Sequence, residues 1–198
     1  MTLHIEFQRA VSREEINELP IRRYEGDVCV VGSQENLERA MADFSEETVV
    51  GFDTETRPAF RAGESYPPAI AQAATARAVY LFPLQRIDCS AVLARMLGDP
   101  GIVKAGVGLA DDLRKLKATF PFEEKSVADL GAVAKRHRVG KTGVRTLAGL
   151  FLGFRIPKGT KTSNWAAPRL SAQQIAYAAT DAWACRELYL CFRKLGLL

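Results

Sequence analysis

Apolar and polar residues follow two different spacings along the chain, and each spacing predicts one kind of element. Short apolar runs bounded by Gly, Pro or polar residues predict strands. Apolar residues three and four positions apart, as at Leu37, Ala40, Met41 and Phe44, predict helices with one apolar stripe. The predicted strands cover residues 27–31, 48–53, 69–75, 78–82 and 101–107. The predicted helices cover residues 12–20, 33–44, 90–98, 109–120, 126–136, 145–152 and 171–195.

The order of these elements predicts the fold class. Strands dominate first, strands and helices then alternate, and helices dominate the last third of the chain. This order is typical of an α/β domain with a mixed sheet and helices on its faces. We expect a single domain over residues 26–198, with flexible loops at 57–68 and 155–165. Residues 1–25 form an arm whose role is open: an oligomer contact, a regulatory arm or a packed strap.

Length and composition agree with one globular domain. The chain has 198 residues, of which 47% are hydrophobic and 25% charged. No apolar run reaches the roughly 18 residues that would suggest a membrane span, and residues 1–15 lack the pattern of a signal peptide. The four cysteines show no CxxC spacing, so we interpret them as reduced core residues. We therefore expect a cytoplasmic protein without a membrane segment.

The net charge is only +4, but the charges are unevenly distributed. Residues 130–180 contain no Asp or Glu and nine Lys or Arg. A solvated basic face is the ordinary explanation of such a run. The complete exclusion of acids favours a surface that meets a polyanion, which suggests nucleic acid.

Two carboxylates stand where a buried strand ends. Asp53 and Glu55 are two residues apart, so in a strand they point to the same side. Ligands of α/β proteins gather at the carboxyl ends of strands, and a divalent cation such as Mg²⁺ or Mn²⁺ would neutralise the pair. Taken alone, the pair also fits an ordinary polar strand end.

Two further segments place acids on helices. Asp181 lies in the long C-terminal helix, which has apolar residues on both sides, so the carboxylate is expected to be buried. Its partner is either a metal or a distant Arg or backbone amide. Asp111 and Asp112 follow a partial GxG pattern and fall in the first turns of a helix, where negative charge is favoured in any case. Only one of these two acids can face the sheet.

The motifs "FDTET", "GVGLADDLRKL" and "YAATDA" resemble, in this order, the three exonuclease motifs of the DEDD superfamily. The likeness is closest to the tyrosine branch, which contains ribonuclease D, the proofreading domain of family A DNA polymerases and the Werner syndrome helicase exonuclease. The sister branch has a His where this chain has Ala176. The resemblance covers residues 49–195 and implies a ribonuclease H-like fold with a mixed sheet of five or six strands.

The resemblance also implies the active-site roles. It identifies four carboxylates that hold two Mg²⁺ or Mn²⁺ ions, and a tyrosine that orients the attacking water. The ions would activate that water and stabilise the leaving 3′ oxygen, so that nucleoside monophosphates are released from a 3′ end. The implied ligands are Asp53, Glu55, Asp112 and Asp181, and the implied tyrosine is Tyr177.

The substrate side is predicted from the basic segment between the second and third motifs. Arg155, Lys158 and Lys161 are candidates for binding backbone phosphates, which give affinity without sequence preference. Trp165 either stacks a base or anchors its loop against the core. Phe60 and Tyr66 lie in the loop after the first acidic pair, where a 3′ base could rest.

The expected substrate is DNA or RNA with a free 3′ end, and the sequence does not choose between them. An oligoribonuclease acting on very short RNA is one alternative. A nucleic-acid-binding module with a degenerate site is another, although none of the carboxylates is missing. A nucleotide-cofactor oxidoreductase would need a complete GxGxxG, which residues 106–111 do not provide. A helicase or polymerase partner would act in trans, and the oligomeric state is open.

Overall fold

The computed structural model describes residues 13–59, 61, 63–157 and 163–198. Within these residues, six strands form one sheet: β1 (Asp27–Val30), β2 (Val49–Thr56), β3 (Pro68–Ala74), β4 (Ala78–Pro83), β5 (Val103–Gly106) and β6 (Val127–Asp129). The helices are α1 (Arg13–Glu18), α2 (Gln34–Ser45), α3 (Ser90–Gly98), α4 (Leu109–Lys117), α5 (Leu130–Arg136), α6 (Val144–Leu147) and α7 (Ala172–Lys194). A π-helical turn, Ala148–Leu152, continues α6.

The sheet is mixed, with the strand order β1-β4-β3-β2-β5-β6. Strand β3 runs antiparallel to its neighbours β2 and β4, and the other neighbouring strands are parallel. The predicted α/β architecture is therefore confirmed, with the larger of the two expected strand numbers. In the described part of the chain, no helix is both long and apolar enough to cross a bilayer.

Helices cover both faces of the sheet, and the alternation along β2 decides which residue faces which helix. Val50 and Phe52 join α2, α3 and α4 in one apolar core. Val49 belongs to a second core on the opposite face, where it packs with residues of α5 and α7. Asp53 and Glu55 have the same parity as Val49, so they point to the side of α7.

Helix α7 lies directly on β2 because Gly51 has no side chain. A Cβ at this position would lie 2.0 Å from the carbonyl oxygen of Ala182 and 2.7 Å from the backbone nitrogen of Arg186. The predicted capping box begins the helix: the Ser171 hydroxyl accepts from the Gln174 N–H, and the Gln174 side chain accepts from the Ser171 N–H. The start of α7 and its distance from β2 together fix the place of Asp181.

Two predicted helices differ from the structure. The helix expected at 126–136 begins at Leu130, because Val127–Asp129 pairs with β5 as an edge strand. The Asp129 side chain then caps the helix by accepting from Ala132 N–H at 3.1 Å. The helix expected at 145–152 has only one α-helical turn before it widens into the π-helical turn. Sheet pairing overrides the local pattern in the first case.

The described part of the N-terminal arm packs against the body of the domain. Arg22 N–H donates to the carbonyl of Arg155 at 3.1 Å, and Arg155 N–H donates to the carbonyl of Pro20 at 2.9 Å. Tyr24 N–H donates to the hydroxyl of Thr180, next to Asp181 in α7. Among the three roles left open for the arm, this packing favours a strap for residues 13–25. Residues 1–12 lie outside the described part, and the predicted domain boundary stays a prediction.

Candidate active site

A cavity of about 850 Å³ opens at the C-terminal half of β2. Strand β5 pairs with β2 only as far as Gly51, so on this edge the rest of β2 borders the cavity, while its other edge stays paired with β3. The other walls come from residues 57–59 and 64–66 after β2, from α4, from residues 143–146 at the start of α6, and from α7. The cavity contains all five residues implied by the motif resemblance, which are Asp53, Glu55, Asp112, Tyr177 and Asp181.

Three of the four carboxylates form a tight cluster. Oxygen atoms of Asp53, Glu55 and Asp181 all lie within 4.8 Å of one another. Glu55 is 8% exposed and Asp181 is 3% exposed, so the expectation that Asp181 is buried is confirmed. Strand alternation places the first two on one face of β2, and the close approach of α7 at Gly51 brings the third to them.

The fourth carboxylate, Asp112, reaches the cavity from the opposite face of the sheet. Its Oδ1 accepts a hydrogen bond of 2.6 Å from the Thr54 hydroxyl. Thr54 lies between Asp53 and Glu55 in β2 and therefore points to the side of α4. Sequence reasoning missed Thr54, although its place inside the acidic motif, on the alternate face, was a signal that could have found it.

Asp111 and Asp112 have different surroundings. Asp111 is exposed and pairs with Arg114 at 2.5 Å and Lys115 at 2.8 Å. Asp112 is half-buried and lines the cavity. The geometry therefore supports Asp112 as the acid of the second motif, and its role in metal binding stays a prediction.

Burial and the neighbouring carboxylates both raise the proton affinity of Asp53. Burial, followed by the charges of Asp181, Glu55 and Asp112, raises the pKa of Asp53 well above its usual range. Burial also raises the pKa of Asp112, although the hydrogen bond from Thr54 lowers it. Such a cluster of hard oxygen donors fits a divalent cation, which would replace the protons and offset the repulsion. The residues present therefore fit the implied metal.

Tyr177 lies one turn before Asp181 on α7, as the spacing predicts. Its hydroxyl donates a hydrogen bond to the Asp181 carboxylate. Burial and the neighbouring charge of Asp181 raise the pKa of the phenol, so it stays protonated at neutral pH. The side chain can therefore hold a hydrogen bond at the cluster without acting as an acid or a base.

The ring of Trp165 packs against the ring of Tyr177. Its ring is 1% exposed and lies 6.0 Å from the Tyr177 ring, centroid to centroid. The Gln174 amide donates to the Ser163 hydroxyl and the Asn164 carbonyl, which fixes the segment before the tryptophan. The enclosed ring favours the loop anchor over base stacking, and a contact of Trp165 with nucleic acid stays a prediction. A sequence pattern does not tell whether a loop aromatic points inward or outward.

The other predicted nucleic-acid-binding residues stay predictions. Arg155 is half-buried, and its Nε donates to the Leu19 carbonyl at 3.1 Å, so part of its guanidinium holds the N-terminal arm. Lys158 and Lys161 lie outside the described residues, as does Phe60. Tyr66 lines the cavity, with the Arg57 guanidinium 4.7 Å above its ring.

Comparison with known proteins gives the relatives of this chain. The sequence profile of the 3′–5′ exonuclease family matches residues 28–196. The human exonuclease mut-7 homolog is 29% identical over 214 residues, covering 91% of this chain and 24% of that protein. The mouse bifunctional 3′–5′ exonuclease/ATP-dependent helicase WRN is 32% identical over 88% of this chain and 12% of that protein. This chain thus spans a quarter or less of either relative's length.

A solved structure shows the same fold. The EXO domain of Aedes aegypti Nibbler superposes with a TM-score of 0.78 at 21% identity, covering 88% of this chain and 92% of that domain. The family profile extends over nearly the whole domain, from β1 to the end of α7, and so includes all three acidic motifs. The chain therefore belongs to the 3′–5′ exonuclease family.

Proposed function

We propose that this protein is a metal-dependent 3′–5′ exonuclease that hydrolyses the terminal phosphodiester bond of DNA or RNA and releases nucleoside monophosphates. The observation that carries the proposal is the cluster of Asp53, Glu55 and Asp181, with carboxylate oxygens within 4.8 Å of one another in an open cavity. Such a concentration of buried negative charge opposes the binding of a polyanion unless cations are bound with it.

The cluster and Asp112 would hold two Mg²⁺ or Mn²⁺ ions. When bound, the ions supply Lewis-acid chemistry: they lower the pKa of water and stabilise charge on the leaving 3′ oxygen. The carboxylates are held for this role by rigid elements, since Asp53 and Glu55 lie in the centre of a sheet and Asp181 in the longest helix of the described residues. Such preorganisation is what a charged transition state requires.

Tyr177 orients the attacking water. Its protonated hydroxyl already points at Asp181, and Trp165 fixes the ring. The phenol needs only to donate or accept a hydrogen bond, so its high proton affinity is compatible with the role. The contribution is positional, because the nucleophile must be aligned with the phosphorus atom and the leaving oxygen.

The proposal is tested with DNA and RNA oligonucleotides that carry a label at the 5′ end, to follow length, or in the 3′-terminal nucleotide, to follow the product. Each is prepared as a single strand, as a duplex with a recessed 3′ end, and with a blocked 3′ end. We expect Mn²⁺- or Mg²⁺-dependent shortening one nucleotide at a time, with monophosphate as the product, and no reaction in EDTA or on blocked ends. The panel also chooses between DNA and RNA and tests the preference for very short RNA. Internal cleavage, or binding without cleavage, would contradict the proposal.

Two further parts of the proposal concern partners. Phosphate contacts by Arg155, Lys158 and Lys161 would strengthen binding to all sequences alike. The mouse relative combines its exonuclease with an ATP-dependent helicase in one protein. A helicase is therefore proposed as a partner of this domain, which is tested by adding a 3′–5′ helicase to a duplex substrate.

A further inference from the structure

Arg145 brings a positive charge into the wall of the carboxylate cavity. It lies in α6, just after the turn that begins at Gly143, and its side chain is half-buried. Its Nε donates to the Ile156 carbonyl at 3.1 Å. This hydrogen bond fixes one edge of the guanidinium on the cavity wall, while the terminal nitrogens belong to the other edge. The motif resemblance assigns no role to this residue.

Three cationic residues line the cavity, and their surroundings differ. Lys115 pairs with Asp111 at 2.8 Å, so its charge is neutralised by an acid outside the cavity. Arg57 is exposed and rests on the Tyr66 ring at the rim. Arg145 takes part in no ion pair with any described residue, although five carboxylates line the same cavity. Its charge is therefore not used to stabilise the fold through an acid.

A strand that enters this cavity brings a phosphate with every nucleotide. The scissile phosphate lies at the carboxylate cluster, so the phosphate next to it on the 5′ side also enters the acid-lined cavity. That second phosphate is repelled by the carboxylates and needs its own cation. Arginine suits this role because its guanidinium stays charged and presents paired donors that match phosphate oxygens.

We propose that Arg145 binds the backbone phosphate adjacent to the scissile one and thereby holds the substrate strand in register. This inference rests on the proposed function, which places the scissile phosphate at Asp53, Glu55 and Asp181. The contact is independent of base identity, so it contributes equally to all sequences. The contact stabilises the bound substrate and the transition state equally, so its loss should raise KM and leave kcat nearly unchanged.

The test uses three substitutions at one position. Arg145→Gln removes the charge but keeps an amide donor for the Ile156 carbonyl, Arg145→Ala removes both, and Arg145→Lys keeps the charge without the paired donors. Arg95→Gln is the matched control, because Arg95 is exposed on α3, which packs on the other face of the sheet. We expect Arg145→Gln and Arg145→Ala to raise KM about tenfold to a hundredfold, with kcat within about threefold.

The salt dependence of binding gives a second readout that a structural role would not change. Loss of one phosphate contact on a single strand should reduce the slope of log K against log salt by about 0.7. Arg145→Lys should keep that slope and restore part of the affinity, and Arg95→Gln should match the wild type. The proposal is overturned if Arg145→Gln behaves as Arg95→Gln, or if only Arg145→Ala is impaired together with a lower melting temperature.

The binding measurement separates this proposal from the proposed function. Affinity for a fluorescent single-stranded oligonucleotide is measured by anisotropy in an Asp53→Asn background, with and without Arg145→Gln, so no turnover is needed. If the wild-type protein cleaves but the slopes are equal, the Arg145 contact is wrong and the nuclease assignment stands. If the wild-type protein does not cleave but the slopes differ by the expected amount, the phosphate contact stands and the nuclease assignment is wrong.

Discussion

Two neighbouring strands of this sheet each bury charge, and they treat it in opposite ways. On β5, Lys104 is completely buried, and its Nζ donates to the Asp99 carbonyl at 2.7 Å. On β2, Asp53 and Glu55 lie beside Asp181, with carboxylate oxygens of all three within 4.8 Å of one another. The lysine donates to a backbone carbonyl and has the opposite charge of Asp99 nearby. The carboxylates raise the electrostatic cost of burial by being together.

This difference separates a structural charge from a functional one. A single buried ion that hydrogen-bonds to the backbone is tolerated, at the expense of a shifted pKa. A cluster of like charges destabilises the fold and persists where it has another use. The cavity beside β2 is open, and Arg145 has no acidic partner among the described residues. Both features fit a site that binds cations at its carboxylates and a phosphate at Arg145.

Asp53 gives the most direct test of the clustered carboxylates, and we expect the largest effect there. Asp53→Asn should lower the single-turnover rate at saturating Mn²⁺ by at least about a thousandfold, because a charged ligand between the other carboxylates is lost. The melting temperature in EDTA should be equal or higher than that of the wild type, since repulsion is relieved. Stabilisation by Mn²⁺ should disappear. A variant that keeps more than about a tenth of the rate would refute the metal role.

Tyr177→Phe tests whether the cluster needs an oriented nucleophile in addition to charge. The rate should fall by about a hundredfold, a typical effect for a positioned catalytic group. The ring and its contact with Trp165 remain, so metal affinity, substrate affinity and stability should change little. Single-turnover rates are measured beside Mn²⁺ titrations and anisotropy. If the loss arises only through weaker metal or substrate binding, Tyr177 is a structural residue.

Asp112→Asn and Asp111→Asn form a matched pair of neighbouring substitutions. Asp112 lines the cavity with Thr54, whereas Asp111 faces solvent with Arg114 and Lys115. We expect Asp112→Asn to be slower than Asp111→Asn by at least about tenfold, the scale of a lost metal contact. Rates of both variants at several Mn²⁺ concentrations decide the point. Equal losses, or the reverse order, would show that the second motif is displaced by one residue.

Much of this architecture could be predicted from the sequence because the signals were local. The period-two pattern around Asp53, the four-residue spacing of Tyr177 and Asp181, and the capping box at Ser171 each depend on nearby residues alone. What could not be predicted depends on distant pairing. The edge strand at Val127 exists only through β5.

The sequence also did not predict which side chains of the basic segment, residues 130–180, point inward. Trp165 and Arg145 both lie in this segment, yet one is enclosed behind Tyr177 and the other lines the cavity. Their surroundings are set by Gln174 and Ile156, which are about ten residues away and belong to other elements. The charge pattern therefore identifies a basic segment, and its role on the substrate side stays a prediction, but the pattern does not tell which of its side chains line the cavity.

Lys104 tests the single buried charge on β5, and we expect the smallest effect there. Burial lowers the pKa of its ammonium group to about 8, against 10.5 for the unfolded chain. Between these pH values the unfolded chain binds more protons than the folded protein, so the free energy of unfolding rises with pH over this window. Relative to Lys104→Met, the wild type should therefore gain stability from pH 8 to pH 10.5, on the order of 1 to 2 kcal/mol. Urea unfolding of both proteins at pH 7, 8, 9 and 10 measures the difference in the free energy of unfolding. As a control, cleavage by Lys104→Met at pH 7 should match the wild type, because the lysine lies outside the cavity. A pH-independent difference would mean that Lys104 has the same pKa in the folded and the unfolded protein. The contrast between the two buried charges would then rest on the carboxylates alone.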